Sequence, residues 1–562
     1  MKELNGTIES AFSGEPTDWM SIDWHRVHRN VRGMQLRIAK ATKEGNWRRV
    51  KALQRMLTRS RSAKMLAVRR VTENQGKRTA GVDRVLWSTP EQRWKALSGL
   101  RRRGYKPLPL RRVFIPKSNG KERPLGIPTM RDRAMQALYL LALEPVAEGT
   151  GDPNSFGFRQ GRSTHDAMAQ NFICLAKQHS PEWVLEADIT GCFDHIDHDW
   201  LLANVPMDKG VLRKWLKAGV LYRGQYEPTE AGTPQGGIIS PTLANVALNG
   251  LERELKAHLK ASLGYTKAQQ AKVNVTRYAD DFVITGASSE VLMDVVRPWV
   301  EGFLATRGLE LSAEKTRVVH MSSGFDFLGW NFRKYSGKLL IRPSEKSIRS
   351  LYRKVKEVLD GNKSSTQEQL IMVLNPILRG WANYHHPVVA KRIFTSVDAM
   401  IFKALQRWAK RRHPNKGRRW CKDRYFHTIG QRNWVFATNR AEDASGAALL
   451  ELYRLASTPI VRHVKVRAEY TPFDPAYEAY GEKRRQDRLA RSKAHRSQWV
   501  TLFLSQNGKC ALCQAPITDT GWHDHHIVPR VAGGSDLLSN RVLLHPECHV
   551  QVHSQGLTVP KP

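Results

Sequence analysis

Apolar residues recur at helical spacing near the start of the chain. Between Ile22 and Val71 they are separated by basic residues, and Gly45-Asn46 interrupts the pattern. Steps of three and four residues gather apolar side chains on one face of a helix and leave charged ones on the other. The pattern predicts two basic amphipathic helices, whose apolar faces comprise Val27, Met34, Ile38, Val50, Leu53 and Leu57.

Strand and helix patterns then alternate as far as Arg342. Arg112–Pro116 is rich in β-branched and aromatic residues, and the following Ser118-Asn119-Gly120 is typical of a hairpin turn. Further on, Ser240 and Pro241 predict the beginning of a helix, because serine is a favoured N-cap and proline a favoured first helical residue. This part of the chain predicts an α+β domain.

The segment from Ser344 to Ser457 has a helical and strongly basic pattern. Its bases are interleaved with aromatic residues, among them Phe402, Trp408, Trp420 and Tyr425. Cations that follow a phosphate backbone, together with rings that stack on bases, are typical of single-stranded nucleic acid binding. The alternative is an ordinary helical bundle with a solvated basic face.

The overall charge points to a polyanionic partner. Lys and Arg number 90 against 52 Asp and Glu, so the formal net charge is +38. Phosphate backbones suit such an excess, because cations that neutralise them release condensed counterions. The chain of 562 residues is also long enough for several domains, at about 150 residues each.

Composition gives no indication of a membrane or an exported protein. No apolar stretch approaches the roughly 18 residues that span a bilayer, and the first residues lack an apolar signal region. Six cysteines are too few for a disulfide framework in so long a chain. We therefore expect a reducing compartment, the cytoplasm, and no membrane partner.

Three aspartates carry the first candidate chemistry. Asp188 ends an apolar strand-like segment, and Asp280-Asp281 lie within Val275–Ile284, which has β-rich flanks. Adjacent carboxylates repel one another, and Mg²⁺ can neutralise that repulsion while it binds substrate phosphates. Two such ions activate an attacking hydroxyl and stabilise a leaving pyrophosphate. Taken alone, an Asp-Asp pair is more often an exposed acidic turn, and the ordered sequence context is what favours a metal site here.

Several ordered blocks surround these aspartates and carry a resemblance to a known family. They are Arg123–Pro128, Ser155–Ser163, the strand ending at Asp188, Thr233–Gly237 with Ser240-Pro241, Tyr278–Asp281 and Phe325–Trp330. In these blocks and in their order the chain resembles a group II intron reverse transcriptase and maturase over essentially its whole length. An RNA-dependent RNA polymerase, a splicing factor with a decayed polymerase, and a homing nuclease on a basic scaffold are the alternatives.

The resemblance implies a multidomain α+β protein with a right-hand polymerase of fingers and palm and an α-helical thumb. In that family Asp188, Asp280 and Asp281 ligate two catalytic Mg²⁺ ions. By the same resemblance, Lys117 and Arg123 bind the triphosphate of the incoming nucleotide, as paired cations can.

Two further residues are implicated by the resemblance. Phe193 matches the aromatic residue beneath the nucleotide ribose, whose bulk excludes a 2′-hydroxyl, so we expect a preference for dNTPs. A packed core phenylalanine is the alternative. Gln235 matches a residue that contacts the template and primer. The N-terminal helices and the thumb are expected to bind group II intron RNA and assist its splicing.

The last part of the chain predicts a metal site. Cys510-x-x-Cys513 is followed by His545-x-x-Cys548, and two closely spaced pairs of N and S ligands suit a tetrahedral structural Zn²⁺. Buried cysteines of an ordinary core are the alternative. Zinc would explain how so small a module folds.

The residues between and after these pairs resemble an HNH, or ββα-metal, endonuclease. His549 and His553 are four residues apart and share one face of a helix. The resemblance adds His525 as the third ligand of a catalytic divalent ion, Mg²⁺ or another metal. It makes His526 the general base that activates water and Asn540 the support of its loop.

Asp524 and His523 precede that general base, so the sequence leaves the ligand set open. We expect target DNA to be the substrate that the module nicks for target-primed reverse transcription. The predicted parts are an N-terminal extension (1–85), fingers and palm (86–342), thumb or maturase domain (343–440), basic linker and DNA-binding region (441–492) and HNH endonuclease (493–562).

Overall fold

A computed structural model describes residues 15–116, 120, 122–233, 236–439, 449–491, 498–517, 521–529, 532–535 and 537–559. Helices and sheets are mixed along the chain, which agrees with the predicted α+β class. The α-helices are α1 Trp24–Lys43, α2 Trp47–Arg59, α3 Arg61–Glu73, α4 Pro90–Gly99, α5 Met130–Thr150, α6 Thr164–Leu175, α7 Cys192–His195, α8 His198–Asn204, α9 Lys209–Leu216, α10 Ser240–Leu248, α11 Leu251–Leu263, α12 Tyr265–Gln270, α13 Arg297–Ala305, α14 Glu345–Gly361, α15 Gln367–His385, α16 Lys391–Arg412, α17 Arg418–Tyr425, α18 Glu478–Arg491, α19 Gln498–Ser505 and α20 Pro546–Gln555.

The strands form five sheets. They are β1 Leu110–Pro116, β2 Glu122–Ile127, β3 Trp183–Ala187, β4 Val220–Tyr222, β5 Gln225–Glu227, β6 Asn274–Tyr278, β7 Asp281–Gly286, β8 Arg317–His320, β9 Phe325–Phe327, β10 Trp330–Tyr335, β11 Lys338–Pro343, β12 Phe426–Ile429, β13 Arg432–Asn439, β14 Leu449–Glu451, β15 His523–His526 and β16 Arg541–Leu544. The sheet orders are β2-β1-β4-β5, β6-β7-β3-β8, β11-β10-β9, β12-β13-β14 and β15-β16.

Three helices, rather than the two predicted, begin the described chain. Asp23 and Asn46 cap α1 and α2, and the break between them lies at the predicted position. The Ser60 hydroxyl accepts a hydrogen bond from the Ala63 amide and begins α3. The prediction missed this boundary because the apolar pattern continues through Ser60 without interruption. All three helices pack against α5, which is almost entirely buried.

None of the described helices combines the length and apolar character needed to span a lipid bilayer.

The sheet β6-β7-β3-β8 forms the centre of the second part of the chain. Its strands pair antiparallel, with Ala187 opposite Phe282 and Tyr278 opposite Asp281. Leu185 and Ile284 face each other in the register and are fully buried. Strands of this composition, apolar in the middle and acidic at the end, place carboxylates at the edge of a well-packed core.

The Phe325–Trp330 block joins this sheet to the helices that follow. β9 and β10 form a hairpin with Phe327 opposite Trp330. The Trp330 indole stacks on Tyr384 of α15, with ring centroids 4.5 Å apart, and the Tyr384 hydroxyl donates to the Leu328 carbonyl at 2.7 Å. This block therefore has a structural role, since it fixes α15 relative to the central sheet.

The basic segment is helical, but the prediction missed the sheet β12-β13-β14 within it. Two of its aromatic residues, Trp408 and Tyr425, are buried and pack against Phe436 of this sheet. The expectation that they stack on nucleobases is thus wrong, because they form the core. Trp420 is 39% exposed and remains available.

The predicted linker returns across the central domain. Asp166 of α6 is fully buried and accepts hydrogen bonds from His463 at 2.9 Å and from the Val466 amide at 2.8 Å. It also pairs with Arg484 of α18. Burial by itself raises the pKa of Asp166, but His463 and Arg484 outweigh it and lower the pKa to about 2. One carboxylate therefore anchors both ends of the linker.

We expect Asp166→Asn to release the linker and to destabilise the domain by about 3 kcal/mol, because Arg484 loses its buried partner. Ionised Asp166 contributes above its unfolded pKa near 3.8, and the contribution of about 2 kcal/mol disappears as the pH falls through 2. Urea unfolding at pH 7 and limited proteolysis of residues 458–491 measure both effects. Asp294→Asn, at an exposed carboxylate, is the control, and equal stability of the two variants would contradict the assignment.

Candidate functional site

A tight hairpin positions the adjacent aspartates. Ala279 and Asp280 form the turn between β6 and β7, and Ala279 has a left-handed φ of 58°. Asp281 is the first residue of β7. Asp188 follows Ala187, which pairs with Phe282, so the register brings Asp188 to the side of Asp281. The structure thus collects all three predicted aspartates at one end of one sheet.

The neighbouring sequence blocks support this hairpin. A Cβ added at Gly157 would lie 2.3 Å from the Ala279 nitrogen, so only glycine allows this approach. The Phe156 amide donates to the Arg277 carbonyl at 2.9 Å. The Arg277 guanidinium is itself buried and donates to Asn245 of α10 and to the Ala279 carbonyl, each at 3.1 Å. The blocks Ser155–Ser163 and Tyr278–Asp281 therefore form one unit.

Repulsion among the carboxylates perturbs their protonation. Desolvation by neighbouring atoms and the charges of Asp280 and Asp188 raise the pKa of Asp281 to about 7. Burial also raises the pKa of Asp280. Carboxylates with raised pKa values at the edge of a sheet are typical of sites that gain a cation in function.

Lys315, a residue that the sequence analysis missed, neutralises part of the negative charge of these carboxylates. Lys315 forms an ion pair with Asp188, and the hydrogen bond to that carboxylate raises the pKa of the Lys315 ammonium. Lys315 precedes β8, the strand next to β3, and the Ser312 amide donates to the Asp188 carbonyl at 2.8 Å. The only signal in the sequence was a basic residue before a strand, which is too common to be informative.

The predicted nucleotide-contact residues are partly described. Phe193 lies in α7, half-buried, with its ring 6.2 Å from that of the exposed Phe158. Arg123 lies opposite Ile115 in the β1–β2 hairpin, and its charge lowers the pKa of Asp280, against the larger effect of burial. Lys117 and Gln235 lie outside the described residues.

The loop before α10 packs beneath Phe193. The Thr233 amide donates to the Phe193 carbonyl at 2.6 Å, and a Cβ at Gly232 would lie 2.6 Å from the same oxygen. At Gly236 an added Cβ would lie 2.9 Å from the Gly126 carbonyl of β2. The loop therefore connects the Phe193 position with the fingers-like hairpin, and two glycines permit the close contacts.

Four predicted zinc ligands meet in the C-terminal module. Cys510, Cys513, His545 and Cys548 are all buried, and their ligand atoms lie within 4.8 Å of one another. Burial would raise the pKa of Cys510, but hydrogen bonds from the other three ligands outweigh it and lower that pKa. The thiolates in turn raise the pKa of His545 to about 10. Three thiols and an imidazole at this spacing fit a tetrahedral zinc ion.

A second group gathers three histidines. His525 of β15 and His549 and His553 of α20 bring their ring nitrogens within 4.8 Å of one another. Burial and the neighbouring imidazoles lower the pKa of His549 to about 4. Neutral imidazoles are the form that binds a divalent ion. Within the described ranges these two groups meet this distance criterion, and the three aspartates do not.

The sequence left open whether His523 or Asp524 also binds the metal of the histidine group, and their contacts distinguish the two. Asp524 lies opposite Leu543 and forms an ion pair with Arg541, two residues along β16, so its carboxylate is already engaged. His523 lies on the same side as His525, with its ring 5.0 Å from His549. His526 ends β15 opposite Arg541 and is half-buried.

Asn540 closes the loop that follows β15. Its side-chain amide donates to the Val528 carbonyl at 2.9 Å and to the Ser535 carbonyl at 2.8 Å, and its oxygen accepts from the Val528 amide at 2.8 Å. A Cβ at Gly534 would lie 1.8 Å from the Val528 oxygen. Asn540 therefore fixes the loop that follows His526, and its role in supporting that histidine stays a prediction.

Family models match four consecutive parts of the chain. The N-terminal domain of reverse transcriptase matches residues 19–100, and reverse transcriptase (RNA-dependent DNA polymerase) matches residues 115–332. The group II intron, maturase-specific domain matches residues 348–426, and HNH endonuclease matches residues 510–555. The four models follow the order of the sequence blocks described above.

Curated relatives agree with these matches. Protein YkfC of Escherichia coli (strain K12) is 36% identical over 254 residues, covering 40% of this chain and 67% of that protein. The group II intron-encoded protein LtrA of Lactococcus lactis is 29% identical over 409 residues, covering 57% of this chain and 68% of that protein. A 91 kDa protein in the cob intron of Schizosaccharomyces pombe is 27% identical over 384 residues, covering 55% and 47%.

Because the pKa of Asp281 is raised to about 7, the affinity of the three aspartates for a divalent cation, tested with Mg²⁺, is expected to fall below that pH. Protonation removes a ligand, so affinity decreases by about tenfold per pH unit in that range. Calorimetric titration with Mg²⁺ checks this, with the Asp188→Asn variant subtracted to remove ions bound by the histidine group. An affinity that stays constant from about pH 5 to pH 8 would contradict the shifted carboxylate.

Proposed function

The chain belongs to the group II intron-encoded reverse transcriptases and maturases and carries an HNH endonuclease domain. On this premise we propose that the three aspartates catalyse polymerisation and that the three histidines catalyse DNA cleavage. The polymerase copies intron RNA into DNA, and the nuclease nicks target DNA to provide the primer. The meeting of Asp188, Asp280 and Asp281 at one sheet edge is the observation that carries the polymerase assignment.

In the polymerase, the three aspartates would hold two Mg²⁺ ions, which would supply activation of the primer hydroxyl and stabilisation of the pyrophosphate leaving group. Lys315, paired with Asp188, offsets part of the negative charge of the three carboxylates. Lys117 and Arg123 bind the triphosphate of a dNTP, and Gln235 contacts the template and primer. Phe193 lies beneath the ribose, held from below by the Thr233 loop.

In the nuclease, His525, His549 and His553 would hold one divalent ion, Mg²⁺ or another metal, which would supply charge stabilisation at the scissile phosphate. His526 accepts a proton from the attacking water. Asn540 keeps His526 in place through the loop that begins at Val528. Zn²⁺ at the Cys510, Cys513, His545 and Cys548 site has a structural role.

We assign the surfaces that bind RNA and DNA from the distribution of basic residues. We assign intron RNA to the N-terminal extension (1–85) and to the thumb or maturase domain (343–440), and target DNA to residues 441–492. Exposed cations on α16 and α17 support the assignment: Lys403, Arg407, Lys410, Arg411, Arg418 and Arg419. In the same proposal, fingers and palm (86–342) and the thumb form a right-hand polymerase, and the HNH endonuclease comprises residues 493–562. The protein acts in the bacterial cytoplasm.

Two substitutions are expected to separate the activities. Asp280→Asn should lower RNA-templated primer extension by about 1000-fold or more, because a ligand worth several kcal/mol of transition-state stabilisation is lost. DNA nicking should be unchanged. His526→Ala should lower nicking by about 100- to 10,000-fold and spare primer extension.

Asp294→Asn and His179→Ala are the matched controls, since both side chains are exposed and outside the two sites. Each activity is measured on the same preparation of full-length protein, with circular dichroism to verify folding. Loss of both activities in a folded Asp280→Asn or His526→Ala variant would show that the sites are not independent.

Removal of the Phe193 ring is expected to admit ribonucleotides. Phe193→Ala should reduce discrimination between dNTPs and rNTPs by about 10- to 100-fold, since a steric contact of this size is worth 1–3 kcal/mol. Single-nucleotide incorporation with paired dGTP and rGTP measures the ratio. Phe158→Ala, the neighbouring ring, is the matched comparison, and parental discrimination in Phe193→Ala would overturn the steric role.

A further inference from the structure

The C-terminal metal module is docked onto the N-terminal helices of the same chain. The Trp19 indole donates to the Glu547 carboxylate at 3.1 Å, and Arg93 of α4 forms an ion pair with the same residue. The Gln551 amide donates to the carbonyls of Met20 and Ile22, each at 2.8 Å. Glu547 and Gln551 belong to α20, which also carries Cys548, so the contact adjoins the metal ligands.

At the centre of this contact lies Arg69 of α3. Its side chain is 4% exposed, its Nη2 lies 3.9 Å from the Cys548 sulfur, and its guanidinium covers the Trp24 ring at 4.5 Å. Glu73 accepts a hydrogen bond from Nε at 3.0 Å. Arg69 is therefore held between a carboxylate of its own helix and the thiols of the distant module.

Three buried nitrogen atoms on these helices have no hydrogen-bond partner among the described residues: Trp24 Nε1, His28 Nε2 and Arg69 Nη1. Of these residues, Arg69 is the one that also contacts a cysteine of the module. Unpaired buried donors are costly, and thiolate sulfurs of a metal-bound state would accept from them.

The net charge of the zinc-bound site explains why a cation would lie beside it. A zinc ion (+2) with three thiolates (−3) and a neutral imidazole leaves a net charge of −1, which is costly to bury without a nearby cation. Arg69 is a permanent cation and can direct two N–H groups at sulfur. Partners that donate to metal ligands typically change metal affinity by about 10- to 100-fold.

We propose that Arg69 donates hydrogen bonds to the zinc thiolates, so that zinc retention and docking of the nuclease on the N-terminal helices depend on each other. The ligands come from the C-terminus and their outer partners from the N-terminus. The interface therefore forms fully only when the metal is bound, and the metal is retained only when the interface is formed.

Zinc release from the purified full-length protein tests whether zinc retention depends on docking. Arg69→Gln should accelerate transfer of zinc to a chromogenic chelator by about 10- to 100-fold. Arg55→Gln, at an exposed position on α2, should leave the rate unchanged. Should Arg69→Gln fail to fold, Arg93→Gln weakens the same contact from its edge and should act in the same direction. Parental release rates in both docking variants would overturn the proposal.

Hydrogen exchange tests whether docking depends on bound zinc. Removing zinc from the parent protein should increase exchange in α1 and α3, which cover the module, but not in the central strands β3 and β7. Unchanged exchange in α1 and α3 after zinc removal, or a purified protein without zinc, would also overturn the coupling. Primer extension is measured in parallel, so that failure of this proposal is distinguishable from failure of the polymerase assignment.

Discussion

Mutual repulsion of three carboxylates is the constraint around which the central domain is built. Asp188, Asp280 and Asp281 lie at one end of neighbouring strands of one sheet, where desolvation and their mutual charges raise the pKa values of the last two. A fold tolerates such a concentration of charge only if its backbone is held firmly and cations are close. Gly157 and Arg277 hold the backbone, and Lys315 provides the nearest cation.

Sequence reasoning was most successful where chemistry is encoded locally. Cys510-x-x-Cys513 and the i, i+4 pair His549 and His553 predict their own geometry, because the spacing alone puts the side chains on one side of a turn or helix. The convergence of Asp188 with Asp280 came from the family resemblance, and the strand register now explains it.

What the sequence did not show depends on distant contacts. Ser60 begins a helix inside an unbroken apolar pattern, and β12-β13-β14 lies within a segment whose bases dominate its composition. Lys315 and Arg69 act on residues 127 and 479 positions away. A local pattern contains no information about such partners. The aromatic residues Trp408 and Tyr425 show the opposite error, since a plausible binding pattern proved to be core packing.

The docking of the last module on the first helices also bears on how the chain is made. Trp19 and Trp24 emerge early from the ribosome, while Glu547 and Cys548, which complete their surroundings, emerge some hundreds of residues later. At 5–20 residues per second, a separation of 528 residues leaves this face of the nascent protein uncovered for roughly half a minute to nearly two minutes. These helices are therefore completed only after the metal module has been synthesised, and their uncovered face is open to a chaperone in the meantime.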